Sequence, residues 1–225
     1  MRGVLGISIV LLGSLLCACE KQTPSPNAVS SYNPKAAAFN VQLGLGYLKN
    51  GQMQRAKSKL LMALSEDPNN PEPNGAMAYY LETTGDLPQA EVFYKKAMSL
   101  SGKGPELNNY GTFLCRHSRY VEAQKYFMQA VSDLNYLNTA GAYENAGLCA
   151  LANHTPMQAA HYFQKALEQD PRKRQSLFQL SKIYYEQKKY TEAALLLQRF
   201  DARGKTVESE QLGQEIAVAL EKNKN

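Results

Sequence analysis

A spacing of about 34 residues recurs through this chain and limits what it can fold into. Each turn of the pattern has a glycine or a stand-in for it. An alanine follows about five residues later, a bulky residue four after that, and another alanine three further on. Gly51, Ala56, Leu60 and Ala63 form one series, closed by Asp67-Pro68; Gly85, Ala90, Tyr94 and Ala97 form the next. The third runs Ser118, Ala123, Phe127, Ala130, and the fourth His154, Ala159, Phe163, Ala166, closed by Asp170-Pro171. A fifth, Lys188, Ala193, Leu197, Phe200, has lost its last alanine. Upstream of each turn stands a second signature: Leu43-Gly44 with Tyr47, Met77-Ala78 with Leu81, Tyr110-Gly111 with Leu114, Ala146-Gly147 with Ala150, and Leu180-Ser181 with Tyr184.

These residue types serve two antiparallel helices per period. Small residues at Gly44, Ala78, Gly111 and Gly147, and alanines at 56, 90, 123 and 159, let paired helices approach closely. The bulky residue at 94, 127 or 163 is expected to fill the gap between neighbouring units. Gly51 and Gly85 supply a left-handed turn, and Pro68 and Pro171 stop the second helix. Ala, Leu, Gln, Lys and Glu outweigh the β-branched residues, as helices favour. The pattern resembles the tetratricopeptide repeat. It predicts an all-α, right-handed α-solenoid of about five tetratricopeptide repeats, over residues 37–70, 71–103, 104–139, 140–173 and 174–205. Leu212-Gly213 and Ile216 repeat a first-helix signature with no second helix after it, so residues 206–225 are expected to form a capping helix and tail.

The N-terminus gives an address. Met1-Arg2 precedes an apolar run from Val4 to Leu16, the layout of a secretory signal peptide over residues 1–18. The run ends Leu16-Cys17-Ala18-Cys19, which resembles the bacterial lipobox, with Ala18 as the small residue before an acylated Cys19. That resemblance implies two or three acyl chains, enough for firm attachment to lipid. Glu20 follows in place of the Asp that holds many lipoproteins at the inner membrane, so an outer-membrane lipid anchor facing the periplasm is expected. Residues 19–35, with Pro24, Pro26 and Pro34 and few apolar side chains, read as a tether. Loss of Arg2 with the signal lowers the formal charge from +5 to +4. The basic residues form no stripe, and Arg172-Lys173-Arg174 and Lys188-Lys189 read as solvated helix ends, so nucleic acid is not an expected partner.

Some segments resemble a particular family. Asn108-Asn109-Tyr110-Gly111-Thr112-Phe113-Leu114-Cys115 with Tyr120, Glu144-Asn145-Ala146-Gly147-Leu148-Cys149-Ala150-Leu151, and Gln211-Leu212-Gly213-Gln214-Glu215-Ile216 are similar to the type IV pilus biogenesis/stability lipoproteins called PilF or PilW. The resemblance runs from the lipobox to the last helix. It implies a pilotin, which helps the secretin ring reach the outer membrane and assemble. The chain departs by stopping after its last first-helix signature and by lacking a bulky aromatic near Leu212-Gly213. The alternative is a periplasmic repeat scaffold for another envelope or secretion complex.

In such solenoids the first helices line the concave face. Registering the repeats turns Ala38, Val41, Leu45 and Leu48 inward, with Tyr79 and Glu82 from the second unit and Asn108, Thr112 and Arg116 from the third. This unusually apolar patch is expected to take a helix or strand end of a protein partner. Cys115 and Cys149 lie late in the first helices of neighbouring units, in an oxidising compartment; a disulfide and two buried thiols that never meet both remain open. No catalytic constellation, phosphate loop or nucleophile elbow emerges, and His117, His154 and His161 have no acidic or cysteine partner at ligand spacing. A non-enzyme without cofactor or metal is expected, acting as a monomer.

Overall fold

A computed structural model describes residues 32–223. Cys19, the signal peptide and most of the tether lie outside the described residues. The described residues form eleven helices and no strand. They are α1 (Pro34–Lys49), α2 (Met53–Glu66), α3 (Pro71–Thr84), α4 (Leu87–Ser101), α5 (Gly104–Arg116), α6 (Tyr120–Val131), α7 (Thr139–Ala152), α8 (Pro156–Gln169), α9 (Arg174–Glu186), α10 (Tyr190–Asp201) and α11 (Val207–Lys222). The first ten pair into five hairpins, α1 with α2 through α9 with α10. Each first helix also packs on the next unit's first helix, and α11 covers α9 and α10 at the C-terminal end. The stack is the tetratricopeptide solenoid that the spacing predicts.

The hairpin turns share one backbone design. Gly51, Gly85, Ser118, His154 and Lys188 all adopt positive φ, between 56° and 89°. Each donates its N–H to the carbonyl three residues back, and the next residue donates to the carbonyl five back: Gln52 to Tyr47, Asp86 to Leu81, Arg119 to Leu114, Thr155 to Ala150 and Lys189 to Tyr184, at 2.9 Å in each case. This is the Schellman closure, which satisfies the last carbonyls of one helix and reverses the chain into the next. The return turns are less uniform. Asn33, Asn70, Asn138 and Thr206 cap α1, α3, α7 and α11 through their side chains, and Pro34 and Pro71 sit where a missing N–H costs nothing. Because Asn33 caps α1, Pro34 and Lys35 are helical, which shortens the tether assigned to residues 19–35.

Inside each hairpin a bulky residue meets a small one. A Cβ placed on Gly44 would lie 2.6 Å from Leu60; on Gly111, 2.9 Å from Phe127; on Gly147, 2.6 Å from Phe163. Phe127 and Phe163 therefore fill the space over the glycine of their own first helix, not chiefly the gap between units as expected. Tyr94 does reach across, with its ring 5.0 Å from Phe113 and 6.5 Å from Tyr110 of the third unit. Ser181 replaces the glycine in the fifth unit, and its hydroxyl donates to the Ala193 carbonyl at 2.8 Å. One large core runs from Ala78 to Ile216, with a smaller one between the first two units.

Cys115 at the end of α5 and Cys149 in α7 are joined as a disulfide, with Cα atoms 5.7 Å apart. Two equivalent first helices, 34 residues apart, thus share a covalent rung.

Two outcomes follow from these features. Lys188→Gly relieves a side-chain residue held in the left-handed region and raises unfolding stability by about 0.5–1 kcal/mol, read as a higher urea midpoint. Thiol titration of the denatured, unreduced chain finds no reactive Cys115 or Cys149; reduction exposes both and costs about 3–4 kcal/mol of stability.

Candidate partner-binding groove

The concave side of the first three units holds a groove of about 520 Å³. Its two walls differ in chemistry. Val41 and Leu45 of α1 and Gly75, Ala76 and Tyr79 of α3 make an apolar wall. Asn108, Asn109, Thr112 and Arg116 of α5, with Asn145 of α7, make a polar one. Ala97 and Tyr94 of α4 lie at the base, and Glu72 and Glu106 beside Pro71 and Pro105 stand at one end.

Helical register explains why these side chains meet. Val41, Gly75 and Asn108 each stand three residues before the small position that packs against the second helix, and Leu45, Tyr79 and Thr112 stand one after it. That stripe points away from the hairpin partner, so successive first helices present it side by side. The polar wall is fixed by its own bonds. Asn145 Nδ2 donates to Asn108 Oδ1 at 3.1 Å and to Thr112 Oγ1 at 3.4 Å, while Thr112 Oγ1 donates to the Asn108 carbonyl at 2.8 Å.

Glu82 ties three helices together at the other end. Arg116 grips its carboxylate with two bonds of 2.7 Å, Tyr94 Oη donates to it at 2.9 Å, and His117 Nε2 lies 3.1 Å away. Burial would raise the Glu82 carboxyl, but Arg116, Tyr94 and His117 outweigh it and hold the group below its ordinary value. The pair is half sheltered, with Arg116 45% and Glu82 7% exposed, so its ionised, forked geometry is retained. The same Arg116 guanidinium lies 5.9 Å from the Tyr79 ring, reaching the apolar wall. Elsewhere between the second and third units, burial again opposes ionisation of Glu91. Lys95, Arg119 and Tyr110 outweigh it and bring that carboxyl to about 2.

The expected inward set divides. Leu45, Tyr79, Asn108, Thr112 and Arg116 line the groove together. Val41 lines it only by an edge, being 1% exposed, and Leu48, at 6%, is core of the first two units instead of groove surface. Glu82 is the buried acceptor that positions Arg116, and half-buried Ala38 does not line the groove. Sequence reasoning missed Ala76, Asn109 and Asn145, all two residues before the small position, a register that could have found them. The basic clusters serve the fold: Arg172 pairs with Asp170 at 3.1 Å, Lys173 with Glu144 at 3.5 Å, and Arg174 lies over Phe200. Among the described residues no group of three His, Cys, Asp or Glu could hold a metal ion, and no helix is long and apolar enough to cross a membrane.

Comparison with known proteins gives the family. The tetratricopeptide repeat family model matches residues 145–206. The type IV pilus assembly protein PilF of Pseudomonas aeruginosa is 32% identical over 183 residues, covering 80% of this chain and 73% of that protein. An uncharacterised protein of Haemophilus influenzae is 34% identical over 163 residues, covering 72% of this chain and 87% of its own. The solved structure of Pseudomonas aeruginosa PilF superposes with a TM-score of 0.74 at 31% identity, over 84% of this chain and 86% of that one. That of PilW, a widely conserved type IV pilus biogenesis factor, gives 0.71 at 23% identity over 84% and 87%, a likeness of fold. Sharing both its repeat architecture and nearly a third of its aligned residues with PilF, the chain belongs to the PilF family of type IV pilus assembly proteins.

Proposed function

We propose that this chain is a pilotin: an outer-membrane lipoprotein, acylated on Cys19 and facing the periplasm, that binds the secretin subunit of the type IV pilus system and promotes its localisation and multimerisation. The observation that carries the reading is the two-walled groove. An amphipathic segment laid in it can rest apolar side chains on Leu45 and Tyr79 while its polar edge meets Asn108, Asn109 and Thr112. Asn108 and Thr112 are already oriented by Asn145, so little order is lost there on docking. Membership of a pilus assembly family supports a partner in that machine, and the Leu16-Cys17-Ala18-Cys19 run supports attachment to lipid.

Tyr79 is 44% exposed and Leu45 half-buried, so both can change without emptying the core. Tyr79→Glu or Leu45→Glu should weaken secretin binding at least about tenfold, about 1.4 kcal/mol, with helicity unchanged. Normal secretin multimers from a folded variant would rule the groove out. Mass spectrometry of the mature chain should find fatty acid on Cys19, and Cys19→Ser should release the protein from membranes; an unmodified Cys19 would remove the anchor.

A further inference from the structure

The connection between α6 and α7, residues 132–138, is the longest between consecutive helices among the described residues. It carries two leucines with almost nothing around them: Leu134 is 99% exposed and Leu137 98%. Burial of a leucine is favourable enough that a pair left bare on a structured loop calls for an explanation. The loop is built. Asp133 Oδ2 accepts from the Gly104 N–H at 2.8 Å, Asp133 Oδ1 from the Asn135 N–H at 3.0 Å, and the Tyr136 N–H returns to the Asp133 carbonyl at 3.0 Å. Tyr136 packs against Gly104, where a Cβ would collide with its ring, and joins the small core of Leu107, Ala130 and Ala142. With these backbone groups satisfied internally, the tip can leave water at reduced polar cost.

The loop's position indicates what it meets. All connections from a second helix to the next first helix lie on the edge where first helices begin. Hydrogen bonds join parts of that edge: Asn33 N–H to the Glu66 carbonyl at 3.0 Å, Gly104 to Asp133, and Arg199 to the Pro171 carbonyl at 3.0 Å. Tyr32, 73% exposed, enters the body there, and Val207 opens α11 there with similar exposure. Exposed Lys35, Lys103 and Lys205 stand on the same edge, interspersed with Glu72, Glu106 and Glu208 in the first turns of α3, α5 and α11. Between Cys19 and Tyr32 the chain spans at most about 45 Å even if fully extended. Fully exposed leucines at a loop tip, with an aromatic and lysines on the same edge, suit a lipid interface.

We infer that this edge is a membrane-contact surface, in which Leu134 and Leu137 enter the headgroup–acyl boundary of an anionic bilayer and orient the solenoid on it. The inference rests on the lipid-anchor part of the proposed function.

The chain has no tryptophan, so Leu137→Trp creates a single reporter, and Val121→Trp, on the opposite edge at an 82% exposed site, creates a matched control. Mature acylated protein is bound to vesicles of phosphatidylethanolamine and phosphatidylglycerol; attachment is read by cosedimentation and insertion by indole emission. Emission from the Leu137→Trp protein should shift to the blue relative to its Cys19→Ser form free in buffer and be quenched by brominated acyl chains. The Val121→Trp control should do neither, and adding Leu134→Asp to Leu137→Trp should abolish the shift. If the Leu137→Trp protein cosediments while its indole keeps a water-exposed emission, the contact surface is overturned and the anchor stands. Protein that fails to cosediment overturns both. A blue shift that needs added secretin and escapes brominated lipid assigns the edge to a protein and overturns the lipid contact.

Discussion

The close approach of the two helices in each hairpin governs the rest of the molecule. It requires a residue with little or no side chain on the first helix and a large one opposite. Gly44 with Leu60, Gly111 with Phe127 and Gly147 with Phe163 meet that requirement by contacts that leave no room for one added carbon. Because first helices are drawn onto their partners in this way, their opposite stripes are left free, and neighbouring stripes form the concave wall. The groove is thus a consequence of the packing rule that makes the stack.

The same rule explains how one repeat sequence supports different surfaces. The positions where each hairpin closes keep a small residue on the first helix and a large one on the second in all five units. The residues one after and three before the small position are unconstrained by that contact, and there the units differ: Val41 and Leu45, then Gly75 and Tyr79, then Asn108 and Thr112. Apolar and polar walls meet between the second and third units, where Glu82 and Arg116 join α3 to α5. A charge pair whose carboxylate is mostly buried is a costly way to join helices unless its geometry is well satisfied. Here Tyr94 and His117 complete the shell of the carboxylate.

Much of this was legible in the chain itself. All five residues read as hairpin turns, including Ser118, His154 and Lys188, take the left-handed conformation, because spacing identified a backbone requirement that side-chain chemistry alone would not. What the spacing could not convey was depth. A helical stripe gives direction, yet whether a residue on its border touches solvent depends on how far neighbouring units rotate. Val41 and Leu48 border the inward stripe of α1 and are covered, while Asn109 and Asn145, unremarkable by type, reach the groove. The role of Glu82 was hidden for a related reason: its partners Arg116 and His117 come from 34 and 35 residues away, and pairing follows only once the stack is assembled.

A column of units that touch only their neighbours behaves mechanically like a coil spring, each joint yielding a little. The bond between Cys115 and Cys149 welds one of those joints, between the third and fourth units. Compliance is then left to the remaining joints. One of them, between the first and second units, is where α1 and α3 bring together the oily half of the cleft, so flexing there would open or pinch the cleft while its polar half stays put. A guest held between a yielding jaw and a fixed one can be seated without deforming the whole column.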